Sequence, residues 1–290
     1  MELRPLFFKS ARGVQVYFPW RKKRVRIPKE KNFWHLRTDR NRDLITRKQQ
    51  LLIKKSHIGI AGLSVGNGAA LSLALEGFEN FRLSDFDKLE ISNLNRLRAS
   101  VADLGENKAV ITAQQIYEIN PYAKLKLYTK GLDEKIVDKF LTVPKKINLL
   151  VEETDSLELK IKIRLRARLL RIPVISATDN GDNVILDVER FDLEPKRRIF
   201  HGLISESLDL SAPMSFSERL KLINKIVGEK YITSDMRKSL NKVGKTLKTW
   251  PQLGGTAQMA GAVVCYVSRQ ICLGKKMRSG KYLIDLEGSF

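Results

Sequence analysis

SHIGIAGLSVGNGAALSLALEGFENFRLSDFDKLEISNLNRLRASVADLGENK, residues 56–108, is the segment around which the rest of the chain is arranged. An apolar run, 58–61, is followed by Gly62-Leu63-Ser64-Val65-Gly66-Asn67-Gly68 and then by apolar residues at helical spacing, Leu71, Leu75 and Phe78. This is the layout of a phosphate loop between a strand and a helix. Glycines there let backbone N–H groups close on an anion at the helix N-terminus, where the dipole favours negative charge. A second strand, 81–84, delivers Asp85 at its carboxyl end. An acid about 20 positions past a glycine turn is placed to hydrogen-bond a ribose hydroxyl, so a nucleotide across a βαβ unit is expected. The loop alone fits an NAD(P) dehydrogenase half equally well, because G-x-S-x-G-x-G is not G-x-G-x-x-G.

Ser92-Asn93-Leu94-Asn95-Arg96, with Lys108 further on, separates these readings. Hydride transfer has no use for such a set beside the phosphates. Cationic side chains there offset charge on a triphosphate and on the pentavalent transition state of attack at phosphorus. Together with Asp85-Phe86-Asp87 and with Asp155, which ends the run LLVEETD at 149–155, these blocks resemble the ThiF/MoeB family, the adenylate-forming fold shared with ubiquitin-activating enzymes. The resemblance spans roughly residues 39–194 and is looser at the C-terminus. Gly-Leu-Ser-Val-Gly, Asp-Phe-Asp, Phe-Asp-Leu-Glu-Pro at 191–195 and Pro-Gln-Leu at 251–253 are most similar to ThiF domains fused in bacteria to nitroreductase-like domains.

The resemblance implies an ATP- and Mg²⁺-dependent adenylyltransferase. A substrate carboxylate, for instance the C-terminus of a ubiquitin-like protein or peptide, would attack the α-phosphate and leave as acyl-AMP with release of pyrophosphate. In the nucleotide site Gly62, Ser64 and Gly66 cradle phosphate, Asp85 takes the ribose, and Asp87, Ser92 and Asn95 complete the set. Arg96, Lys108, Asn93 and Arg42 form the catalytic group. Asp155 holds magnesium. The family's N-terminal arginine reaches into the partner subunit's site, so Arg42 goes with an expected homodimer. Ser64 and Val65 stand where glycines are usual, and the valine Cβ is expected to narrow the approach to phosphate. Two alternatives are an RNA-modifying enzyme acting on a tRNA base and a non-catalytic nucleotide-binding scaffold.

The 290 residues carry a net charge of +21, and residues 1–54 hold 16 lysines and arginines against 4 acids. Such clustering marks either an interface for nucleic acid or acidic partners, or a solvated face. Cys265 and Cys272 form no C-x-x-C pair, so no zinc is expected; on one apolar helix face they read as buried, and no catalytic cysteine is evident. The chain starts without a secretory leader pattern and has no apolar run of bilayer length, which points to the cytoplasm and away from membranes.

Strands expected at 124–128, 147–151, 173–177 and 183–189 alternate with helices at 109–120, 134–140 and 157–171. This predicts an α/β fold, a Rossmann-like, mostly parallel sheet with helices on both faces. A basic N-terminal arm, 1–38, precedes the adenylyltransferase domain, 39–290. Within the arm, aromatics such as Phe7, Phe8 and Trp20 alternate with basic residues, as in a β-arm packed on the domain or a base-stacking surface. A linker follows Pro28. Residues 178–181 read as a turn. A helical crossover, 196–249, contains helices at 217–227 and 234–247, and a helix (258–273) and strand (281–286) close the chain.

Overall fold

A computed structural model describes residues 3–10, 13–206, 214–247 and 249–289. Residues 207–213 and 248 of the expected crossover therefore lie outside the described residues. Three antiparallel strands come first, β1 (Leu6–Ser10), β2 (Gly13–Phe18) and β3 (Lys23–Ile27). Their aromatics rest on the body that follows: Phe7 meets Tyr122 at 5.2 Å between ring centroids, and the Trp20 indole donates to Glu118 at 2.6 Å. Beyond Pro28 the chain forms α1 (Glu30–Arg37) where a linker is expected. Charged residues mask a packing face there: Trp34 is buried, and Phe33 stands edge-on to Tyr122, whose hydroxyl donates to the Pro28 carbonyl. Helix α2 (Arg47–Lys55) starts at a Thr46/Gln49 capping box and buries Ile53.

The larger sheet is built from β4 (His57–Ala61), α3 (Val65–Glu76), β5 (Asn80–Ser84), α4 (Lys108–Ile119), β6 (Lys124–Tyr128), α5 (Glu134–Thr142), β7 (Leu149–Glu152), α6 (Leu157–Leu169), β8 (Val174–Asn180) and β9 (Asn183–Glu189). After β9 come α7 (Phe216–Val227), α8 (Ser234–Leu240), α9 (Gly254–Cys272) and β10 (Gly280–Ile284). The strand order is β10-β9-β8-β7-β4-β5-β6. The pairs from β6 to β8 are parallel, while β8–β9 and β9–β10 are antiparallel. Ile58 and Ile60 of β4 belong to a core shared with α3, α4 and α9, whereas Leu150 and Ala61 pack with α5 and α6, so helices cover both faces.

Two details place the functional rim. After β6 the chain crosses back over β4 to enter the sheet as β7, so the order reverses between β4 and β7, and ligands in open α/β sheets bind at the carboxyl ends beside such a switch. Helix α9 crosses α3 glycine on glycine: a Cβ on Gly261 would stand 2.5 Å from the Gly68 carbonyl carbon. That contact aims the segment preceding α9 at the same rim.

Two further sequence expectations need correction. Residues 178–180 continue β8, and a two-residue hairpin, Gly181-Asp182, makes the turn, with Gly181 at φ +71° and Asn180 paired with Asn183. Polar side chains read there as loop formers are instead engaged by later segments, Asn180 donating to the Tyr231 carbonyl. Helix α8 stops at Leu240 rather than 247, because Asn241 caps it and Gly244 takes φ +79°, a conformation only glycine adopts freely.

Candidate functional site

The glycine loop leaves β4 through Gly62, whose φ is +87°. Its Cα faces the turn after β7 so closely that a Cβ would stand 2.3 Å from the Glu153 carbonyl oxygen. Replacing Gly62 by alanine is expected to push these loops apart and cost about 2–3 kcal/mol, read as a fall in the thermal midpoint. Helix α3 begins at Val65 with no side chain capping its first turn, which leaves N–H groups available to an anion. Val65 does not crowd that approach: it is buried in the core beneath the helix. The expected obstruction is absent because the substitution falls on a residue whose side chain points inward.

Asp85 braces the loop. Its carboxylate accepts from the Leu63 N–H at 2.7 Å and the Asp87 N–H at 2.8 Å. Burial pushes its pKa up, against the pull of these two N–H groups and of Lys108. Each oxygen retains a lone pair for a further donor. Lys108, the buried first residue of α4, donates to Asp87 at 2.9 Å.

Arg96 is tied to the loop by a different route. Its Nε donates to the Ser64 hydroxyl at 3.2 Å, and Nη1 donates to the Ser92 carbonyl at 3.0 Å and to Asn95 Oδ1 at 2.9 Å. Nη2 has no protein partner among the described residues. Ser64, a departure from the usual glycine, thus supplies an acceptor that fixes the guanidinium beside the phosphate loop. Burial lowers the Arg96 pKa, opposed by Asp179 and Asp155. Asn93 is buried, and its Oδ1 accepts from the Glu90 N–H at 3.0 Å to cap the 3-10 turn Ile91–Asn93.

Asp155 is exposed, three residues beyond β7. Before it, Glu152 accepts from the Thr154 N–H and hydroxyl, and Glu153 accepts from the Ala177 N–H at 2.8 Å. No cluster of three or more His, Cys, Asp or Glu side chains able to hold a metal occurs among the described residues. Mg²⁺ needs only one or two carboxylates beside phosphate and water, so Asp155 fits that ion.

The structure therefore brings Gly62, Ser64, Gly66, Asp85, Asp87, Ser92, Asn93, Asn95, Arg96, Lys108 and Asp155 to one rim. Arg42 is not among them: it forms an exposed ion pair with Asp39 at 3.0 Å. Two residues join the rim that sequence reading passed over. Gln252, in the segment ahead of α9, accepts from Asn95 Nδ2 at 2.9 Å through its carbonyl and donates its side chain to Asp179 Oδ2 at 3.0 Å. The signal for Asp179 is the polar tract at the end of β8, which reads as a turn, and that for Gln252 is the Pro-Gln-Leu stretch, which carries no site role in the sequence reading. The Cys265 thiol is buried on α9, and burial pushes that of Cys272 up to about 11. No helix among the described residues is long and apolar enough to cross a membrane.

Comparison with known proteins adds three kinds of relative. Residues 38–185 match the profile of the ThiF family. An uncharacterised protein of Mycobacterium tuberculosis is 38% identical over 275 residues, covering 94% of this chain, which spans only 38% of that protein's length. The tRNA threonylcarbamoyladenosine dehydratase of Bacillus subtilis is 24% identical over 69% of this chain and 79% of its own, and the molybdopterin-synthase adenylyltransferase of Haemophilus influenzae is 28% identical over 43% and 51%. Among solved structures, Escherichia coli MccB crystallised with ATP superposes with a TM-score of 0.56 at 16% identity, covering 82% of this chain and 66% of that one.

Proposed function

Because the chain belongs to the ThiF family, we propose that it is an ATP-dependent adenylyltransferase that activates a substrate carboxylate. The observation that carries this reading is Arg96, a half-buried guanidinium anchored to the phosphate loop through Ser64, with Nη2 left without a partner among the described residues. An uncapped helix start, a fixed arginine and a buried lysine on one rim favour binding of a triphosphate and stabilisation of charge building at phosphorus. In this reading the α3 N-terminus and Arg96 hold phosphates, Asp85 and Asp87 face the ribose, and Lys108 divides its charge between Asp87 and the nucleotide. Asp155 would hold magnesium, which when bound offsets charge on the phosphates. The carboxylate oxygen attacks the α-phosphorus, the bond to pyrophosphate breaks, and acyl-AMP results. Positioning and electrostatics carry such a reaction, with little proton transfer required. A peptide or ubiquitin-like C-terminus is the substrate class we favour, with Arg42 supplied to the site of a second subunit.

Exchange of labelled pyrophosphate into ATP, driven by an added carboxylate, tests the reading. Lys108→Ala removes a charge-assisted hydrogen bond while leaving Asp87 half-exposed to water, so the protein should fold and bind ATP about 10- to 100-fold more weakly. Unchanged ATP affinity in that variant, or no exchange with any carboxylate offered, would sink the proposal.

A second reading, action on RNA, is favoured by one feature. A cavity of about 880 Å³ lies at the opposite edge of the sheet, where His57, Asn80 and Lys124 begin their strands. Lys29, Lys31, Lys55, Lys124 and Lys145 line it, and none forms an ion pair among the described residues. RNA bound there would lose affinity steeply with salt, a log–log slope of about −0.7 per phosphate contacted by a single strand. A flat salt dependence removes this reading.

A further inference from the structure

Asp179 lies near the carboxyl end of β8, on the same rim as the glycine loop, and is only 1% exposed. One carboxylate oxygen, Oδ2, accepts from Gln252 at 3.0 Å. The other, Oδ1, is buried without any hydrogen-bond partner. An acceptor removed from water and left unmatched is costly, and buried polar groups without partners are rare enough that each calls for a cause. Burial pushes the Asp179 pKa up to about 6, against Gln252 and Arg96. Arg96 is the cation that acts on it, yet the two form no ion pair, and Arg96 Nη2 has no protein partner among the described residues either. A buried acceptor and a half-buried donor thus lie near one another on one rim without pairing.

The strand order says what would lie between them. Across the rim run β5 with Asp85, β4 with the glycine loop, β7 with Asp155, and β8 with Asp179. A nucleotide whose ribose is at β5 and whose phosphates are at β4 brings the carboxylate attacking its α-phosphate toward β7. The substrate atoms behind that carboxylate then extend to β8. A group there that accepts from Arg96 and donates to Asp179 satisfies both side chains at once. An N–H on the carbon next to the carboxylate supplies the donor, and a hydrocarbon chain does not.

We infer that Asp179 is a specificity-determining residue whose Oδ1 accepts the N–H adjacent to the carboxylate being activated, selecting α-amido acids over simple carboxylic acids. The inference rests on the adenylation reading for the direction in which substrate lies. Asp179→Asn is the informative substitution: its single oxygen serves either Gln252 or the ligand, while its NH₂ opposes an incoming N–H.

The test uses the full chain with Mg²⁺ and a non-hydrolysable ATP analogue. Two probes are compared by calorimetry: a degenerate tetrapeptide pool with free C-termini, and the matching pool in which the last amide is an ester, so that only this N–H is missing. Wild-type protein is expected to bind the amide pool about tenfold or more tightly than the ester pool, a preference lost in Asp179→Asn with analogue affinity unchanged. Equal binding of the two pools by wild type, binding of neither, or an undiminished preference in the variant overturns the inference. Failure of the adenylation reading shows separately, as ATP affinity indifferent to Lys108→Ala. The wild-type comparison stands even if the variant does not fold.

Discussion

Replacing Arg96 by alanine is expected to lower the rate of carboxylate-dependent pyrophosphate exchange roughly a thousandfold while changing the thermal midpoint little. The size follows from where the charge develops. In the proposed reaction ground-state ATP would be held by several N–H groups and by Lys108, whereas a guanidinium fixed beside the loop would act most strongly as phosphorus becomes pentavalent. The small effect on stability follows from its partners. Ser64, the Ser92 carbonyl and Asn95 all lie where water can replace the lost donor, and Arg96 closes no buried ion pair. Arg96→Lys should rescue little, since one ammonium does not reach all three acceptors with a planar fork's geometry. Rates of exchange at saturating ATP, set beside melting curves, decide the matter. A loss smaller than tenfold would mean that Arg96 only supports the loop.

That prediction was legible in sequence because its residues are near neighbours. Ser92 to Arg96 form one tight turn, Asp85 follows its strand directly, and Gly62 sits where a strand becomes a helix, so local spacing alone places them. Asp179 and Gln252 were not legible, being 73 positions apart and joined by packing of α9 on α3 through Gly261 and Gly68. No local pattern encodes that contact. Val65 misled for the complementary reason. Its place in the loop is local, but the direction of its side chain is set by the core beneath. Residues 29–37 read as a linker because the charged cluster Lys29, Glu30 and Lys31 masks a helix whose apolar face packs on Tyr122, in the distant turn ahead of β6.

The largest stability effect is expected at Arg164, within the helix that the sequence predicts at 157–171. It is fully buried on α6. Nε donates to Glu189 at 2.8 Å, Nη2 to Ser176 at 3.2 Å and Nη1 to Glu152, and the guanidinium lies over Phe200 at 4.3 Å from the ring centroid. Arg164→Ala leaves two buried carboxylates short of their shared cation, which should cost about 3–5 kcal/mol and lower the midpoint by roughly 10 °C. Burial raises the Glu152 pKa, but Lys160 and Arg164 outweigh it and hold the carboxyl at about 2, below its ordinary 4.5. A depressed acid contributes stability that is complete above pH 4.5 and is lost as pH falls toward 2. The gap between wild type and variant in urea denaturation should therefore be widest near neutral pH and shrink at pH 3; a gap independent of pH would assign the cost to lost packing instead. Because Glu152 also holds Thr154, and with it the turn carrying Asp155, this variant should lose nucleotide affinity along with stability. Arg96→Ala should keep its stability while losing exchange activity, and that contrast separates a residue that supports the rim from one proposed to act on phosphate.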